Sequence, residues 1–185
     1  MRKLLILVTA VAFLLTTSCS KETRKSESVL DNPEMHISIG MKYFNEGSYE
    51  EAKKEFDDAI KINWKEEDKA GAYAGLGMYY AVKGNKDKAE DNAEKAEDLN
   101  PKLPLVLTCF GRTLTYINKG TDTEDWLEDA VEKFDKAIKL ADDLRDTKAI
   151  AEAYYFKGLT GKSAYKFTMA KEAFASKESK KPLIT

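Results

Sequence analysis

The chain repeats itself. Sliding the 185-residue sequence past itself by 37 positions superimposes Gly40 on Gly77, Tyr43 on Tyr80, Gly47 on Gly84, Ala52 on Ala89 and Ala59 on Ala96. These coincidences share one register, so they define a unit: a helix with a small residue near its centre and an aromatic one turn later, a glycine turn, then a second helix with alanines seven apart. One such unit cannot bury its own apolar face, and copies must stack so that each covers the next. Glycine inside a helix costs ~1 kcal/mol relative to alanine, so Gly40 and Gly77 need a packing reason, and close approach of a neighbouring helix supplies it. Ala52, Ala59, Ala89 and Ala96 do the same from the other side, while Tyr43, Tyr80, Phe56 and Phe134 fill the gaps.

The order of small residue, aromatic, turn glycine, alanine, aromatic, alanine and closing proline resembles the tetratricopeptide repeat, whose period is about 34 residues. In the first block Gly40, Tyr43, Gly47, Tyr49, Ala52, Phe56 and Ala59 fit, with Trp64 where proline is expected. In the second, Leu76, Gly77, Tyr80, Gly84, Ala89, Ala96 and Pro101 fit, and Ala93 replaces the aromatic. The three extra residues of the shift are placed in the Trp64 to Lys69 connection. A third block is stretched by a polar loop, Asn118 to Glu128, between a helix with Gly111 and Leu114 and one with Ala130, Phe134, Ala137 and Ile138. A fourth has Gly158, Ala170 and Phe174 at suitable separations but no turn glycine, and is read as a degenerate capping hairpin. The resemblance implies an all-α solenoid of about three to four helical hairpins spanning 33–181, with units at 33–66, 70–103, 104–144 and 148–181.

The N-terminal stretch reads differently. Met1-Arg2-Lys3 is a basic start, Leu4 to Leu15 is almost unbroken apolar sequence, and Thr16-Thr17-Ser18 leads to Cys19. That order is a signal peptide over 1–18, its apolar core too short for a hydrocarbon layer that needs ~20 residues. Leu-Thr-Thr-Ser-Cys resembles the lipobox of bacterial lipoproteins, which implies lipidation at Cys19 followed by a polar tether over 19–32. Ser20 after the cysteine, by resemblance to enterobacterial sorting, implies the periplasmic face of the outer membrane. With Cys19 acylated, Cys109 has no disulfide partner and reads as a buried small hydrophobe.

Charge narrows the partners. Loss of Arg2 and Lys3 with the leader takes the formal net charge from -2 to -4. Seven lysines against two glutamates make 157–185 basic, but no basic face dominates, so nucleic acid is not an expected partner.

Candidate chemistry is thin. Gly158-Leu-Thr-Gly-Lys-Ser163 ends like a phosphate-binding loop, yet Phe156 stands where its first glycine belongs and the preceding segment reads as helix rather than strand. Thr121 to Asp125 clusters carboxylates without the alternate-residue oxygens, glycine and closing glutamate of a calcium loop. His36 is the sole histidine, so no histidine-based metal site or triad can be assembled. Neither a cofactor nor a metal is expected, and no constellation of catalytic roles is visible.

Binding is the remaining class. Tetratricopeptide arrays present the first helix of each hairpin on a concave surface. Projecting that pattern selects Ile37, Met41, Phe44 and Asn45; Ala74, Met78 and Val82; Thr108, Arg112 and Tyr116; then Tyr155 and Leu159. Relatives that clamp a C-terminal carboxylate use lysine and asparagine on this surface, whereas Ile37, Met41, Ala74 and Met78 hold the comparable places here. A mainly apolar groove suits an amphipathic helix or a hydrophobic ligand. The alternative is that the array curls tightly, or that its tail packs back, so that the stripe is core. The expected function is a lipid-anchored envelope scaffold that binds a partner protein through this groove during assembly of an envelope complex. A second reading is an accessory lipoprotein that binds a hydrophobic small molecule or lipid for a transport system.

Overall fold

A computed structural model describes residues 32–118 and 125–178, with side chains described as far as Ser163. The leader, Cys19 and the tether lie outside the described residues, as do Thr121 to Glu124 and the side chains of Ala170 and Phe174. Seven α-helices are described: α1 Pro33–Asn45, α2 Tyr49–Lys61, α3 Ala70–Val82, α4 Lys86–Leu99, α5 Pro104–Ile117, α6 Asp125–Asp143 and α7 Thr147–Glu178, with a short 3-10 turn Glu66–Lys69 before α3. The fold is all-α, as the repeat requires.

Local chemistry sets the helix ends. Asn32 caps α1 by accepting from the Met35 amide at 2.8 Å, with Pro33 at the first helical position where a missing N–H costs nothing. Asn85 caps α4 in the same way through the Lys88 amide. Gly47 and Gly84 have φ of +83° and +75°, the left-handed conformation that ends α1 and α3. In each turn the next amide reaches back five residues, Ser48 to the Tyr43 carbonyl and Asn85 to that of Tyr80, both at 2.9 Å. The α6–α7 turn has the same geometry, Asp146 N–H to the Ala141 carbonyl at 2.8 Å, but its left-handed residue is Arg145 at φ +56°.

Helices α1 and α2, α3 and α4, and α5 and α6 form hairpins; α7 packs on α6 and α5. Each buried stripe is narrow and small: Ala52, Phe56 and Ala59 on α2, Ala89, Ala93 and Ala96 on α4, Ala130, Phe134, Ala137 and Ala141 on α6. The phenylalanines enter notches left by glycine. A β-carbon on Gly40 would stand 2.6 Å from Phe56, and one on Gly111 2.8 Å from Phe134. The Phe56 ring also fills the notch at Gly75 on α3, a contact between neighbouring units that the repeat alignment does not single out. In the second hairpin, where Ala93 takes the aromatic place, helices meet backbone to side chain: a β-carbon on Gly77 would lie 3.2 Å from the Ala89 carbonyl oxygen. Tyr43 and Tyr80 pack partly buried against the same core.

Three expectations change. The fourth unit is not a hairpin, because α7 runs without a break to Glu178. Its sequence has neither a glycine after Gly161 nor a proline before Pro182, so nothing matches the turns at Gly47 and Gly84. Pro101 is exposed and packs against no neighbour in the core; it follows the end of α4 and acts by stopping that helix. The interruption of the third hairpin is shorter than Asn118 to Glu128, since α6 begins at Asp125.

Candidate functional site: the concave groove

Helix α3 is apolar on every side, and a helix of that kind must be covered all round. Ten of its residues are buried, among them Ala74 and Met78, 1% and 0% exposed. Helices α1, α2, α4 and α5 pack around it. The tight curl therefore removes Ala74, Met78 and Val82 from the concave surface: Met78 is core, Val82 packs against the core, and neither lines the groove. These are corrections to the projected surface, and their cause is the packing of α1, α2, α4 and α5 around α3.

What remains open is a groove of about 1020 Å³ walled by α1, α5 and α7. Ile37, Met41, Phe44 and Asn45 line it from α1, Thr108, Arg112 and Tyr116 from α5, Tyr155 and Leu159 from α7. Most of the α1 and α5 side chains form a floor: Ile37, Met41, Phe44 and Arg112 are under a tenth exposed, whereas Tyr155 and Leu159 stand 63% and 41% exposed. Helix α7 thus supplies the accessible apolar wall. Phe44 is edge-on to Tyr49 at 5.1 Å and tilted against Tyr116 at 6.2 Å, so the aromatic floor is continuous.

Arg112 sits in that floor, 3% exposed. Its Nη2 donates to Asn45 Oδ1 at 3.0 Å, across the space between α5 and α1. Nη1 faces Glu152 Oε1 at 3.9 Å, too far for a hydrogen bond. The guanidinium carbon lies 3.8 Å from the Phe156 ring centre and 5.3 Å from that of Phe44. Nε and Nη1 are buried without a hydrogen-bond partner among the described residues. Stacking between aromatic faces offsets part of the desolvation, by about 2 kcal/mol or more for a dry pair, but it does not satisfy donors.

Sequence reasoning missed Glu152 and Phe156, although both belong to the stripe it partly read on α7. Stepping back one turn from Tyr155 reaches Glu152, and Phe156 completes the i, i+4 pair. His36 does not enter the groove; its Nδ1 is 2.7 Å from Glu55 Oε2, bracing α1 on α2. Elsewhere Glu50 accepts from Lys83 at 2.8 Å and from the Tyr79 hydroxyl at 2.9 Å, and these contacts, Lys83 foremost, hold its carboxyl below the usual range. Gly158 to Ser163 lies within α7, so its backbone amides are committed to the helix rather than free to cradle phosphates. Among the described residues no group of three or more histidine, cysteine, aspartate or glutamate side chains could hold a metal ion. Nor is any described helix long and apolar enough to cross a membrane.

Stacked helical hairpins with glycine turns and a concave groove define a repeat protein of the tetratricopeptide class. The tetratricopeptide repeat matches residues 33–63 and 70–103, the first two hairpins of the array. Similar proteins include the photosystem I assembly protein Ycf3 of Prochlorococcus marinus, 29% identical over 103 residues that cover 52% of this chain and 60% of that one. The photosystem I assembly protein Ycf3 of a Synechococcus species is 26% identical over 108 residues, 55% of this chain and 62% of its own. The chain spans about three-fifths of the length of these curated relatives.

These relatives overturn one expectation. Photosystem I assembly proteins contradict a placement at the periplasmic face of an outer membrane. That placement rested entirely on Met1 to Ser20, outside the described residues, and on a sorting rule borrowed from enterobacteria; nothing in the repeat array carries it.

Proposed function

We propose that this protein is a scaffold or adaptor that holds a segment of a partner protein in the concave groove while a multisubunit complex is assembled. The observation that carries this is the groove itself, with a buried aromatic and aliphatic floor on α1 and α5 and an exposed Tyr155–Leu159 wall on α7. Exposed apolar groups beside a preformed hollow are what an amphipathic segment needs, since its apolar anchors then bury against a floor already in place. The named task of the relatives, assembly of a large complex, supports the reading. A purely hydrophobic small ligand fits less well, because it would seal Arg112 under apolar surface with its donors unmet.

Site-specific photocrosslinking tests it. With benzoylphenylalanine at Leu159, the native cell should yield one recurrent protein adduct, mapped to a single segment of that protein. The same probe at Glu94, exposed on α4, should not. Equal crosslinking from both positions would refute groove binding.

A further inference from the structure

We infer that Arg112 receives a side-chain carboxylate, an aspartate or glutamate within an apolar partner segment that lies along the groove. This deepens the groove reading and rests on it. A guanidinium 3% exposed, with Nε and Nη1 lacking a hydrogen-bond partner among the described residues, is a costly arrangement that a carboxylate acceptor would complete. The protein's own Glu152 stops 3.9 Å away, close enough to moderate the field and too far to accept a bond.

The surroundings specify the partner's chemistry. Glu34, Glu46, Asp146 and Glu152 outnumber Lys42 and Lys148 around the groove, so a polyanion would be repelled while one carboxylate among apolar groups would not. The carboxylate belongs inside a segment rather than at a chain end, because the lining continues on both sides of Arg112. One turn further along α5 stands Tyr116, and two turns back stands Leu105. Phe156 covers the guanidinium from α7, so entry of the carboxylate requires its ring to turn aside.

Selection from a phage library of random 16-residue peptides against the whole 185-residue chain tests this. The peptides are joined to the coat protein by their C-termini, which removes any free α-carboxylate. The expected result is enrichment of sequences sharing one internal Asp or Glu between apolar residues. In a synthetic enriched peptide, changing that Glu to Gln should weaken binding to the wild-type protein about tenfold, the scale of a lost charged hydrogen bond in a dry site. Arg112→Gln should erase the Glu over Gln preference, and Phe156→Ala should widen it by uncovering the guanidinium. Should Arg112→Gln fail to fold, the Glu and Gln peptides on the wild-type protein still decide. Enriched peptides without a shared acid, lost on Tyr155→Glu, would overturn the carboxylate inference and leave the groove reading standing. Absence of enrichment, or enrichment indifferent to Tyr155→Glu, would overturn both.

Discussion

The guanidinium of Arg112 stacks on the Phe156 ring at 3.8 Å, joining α5 to α7. Helix α7 buries Ala153 and Thr160, and Thr160 meets Thr115 of α5 hydroxyl to hydroxyl at 2.9 Å. The stack is therefore one of a few ties that set how far α7 stands from α1, and so how wide the groove is.

A double-mutant cycle measures that tie. Arg112→Met and Phe156→Leu keep apolar bulk while removing charge and ring face respectively. Their coupling energy in urea denaturation should be about 1 to 2 kcal/mol, the range of a desolvated cation–π pair. A coupling near zero would show that the two side chains only happen to be adjacent.

Groove wall and core should separate cleanly on substitution with glutamate. Tyr155→Glu with Leu159→Glu places charge at positions 63% and 41% exposed, where a helix tolerates it, so helicity and melting should persist while partner crosslinking is lost. Met78→Glu puts a carboxylate at a site with no exposure and should abolish cooperative folding or cost at least ~3 kcal/mol. Circular dichroism distinguishes the outcomes; a folded, stable Met78→Glu protein would contradict the burial of Met78 among the helices around α3.

Much of this architecture was legible because the repeat encodes nearest-neighbour contacts directly. Gly40 facing Phe56, Gly111 facing Phe134, and the turns at Gly47 and Gly84 follow from residue types at fixed offsets. Curvature is not encoded that way. Whether Met78 lies on an open face or under its neighbours depends on how closely the flanking helices pack onto α3, the sum of small contacts such as Phe56 in the Gly75 notch. The continuity of α7 was hidden for a different reason: Ala170 and Phe174 mimic a second helix by spacing, and the absence of any turn residue outweighs that spacing.

Ala89 tests the packing of α4 on α3. Its side chain is fully buried and its carbonyl oxygen lies against Gly77, so Ala89→Leu should overpack α4 on α3 and cost ~1 to 3 kcal/mol. Because neighbouring hairpins stabilise one another, the whole array should melt earlier in a single transition. An unchanged denaturation midpoint would place Ala89 outside the interface.

Arg145 offers a gain instead of a loss. It is exposed and holds φ +56° in the turn between α6 and α7, a conformation that costs roughly 1 to 2 kcal/mol for a residue with a β-carbon. Arg145→Gly relieves that strain but frees the unfolded chain, so the net stabilisation should be about 0.5 to 1 kcal/mol. A lower melting temperature would mean that the arginine side chain contributes more than its backbone costs.

Cys109 should make stability fall in alkali. Its thiol is fully buried, and desolvation pushes it from 9.0 up to about 12, against a smaller opposing pull from Arg112. The native state therefore keeps its proton between those values while the unfolded chain loses it, so the unfolded state binds fewer protons and stability declines as pH rises above 9.0. The full contribution of the neutral thiol is present below 9.0 and would be exhausted by about 12. Over that window the slope attributable to this group approaches ~1.4 kcal/mol per pH unit. Cys109→Ala removes it, so the difference in unfolding free energy between wild type and variant should shrink as pH rises from 8 to 10.5, while lysine and tyrosine titration cancels between the two proteins. In parallel, a thiol reagent at pH 8 should modify Cys109 only as fast as the array opens, which mass analysis of the tryptic peptide can follow apart from Cys19. Rapid modification of folded protein, or a difference that stays constant with pH, would show that the thiol is not sealed in the core.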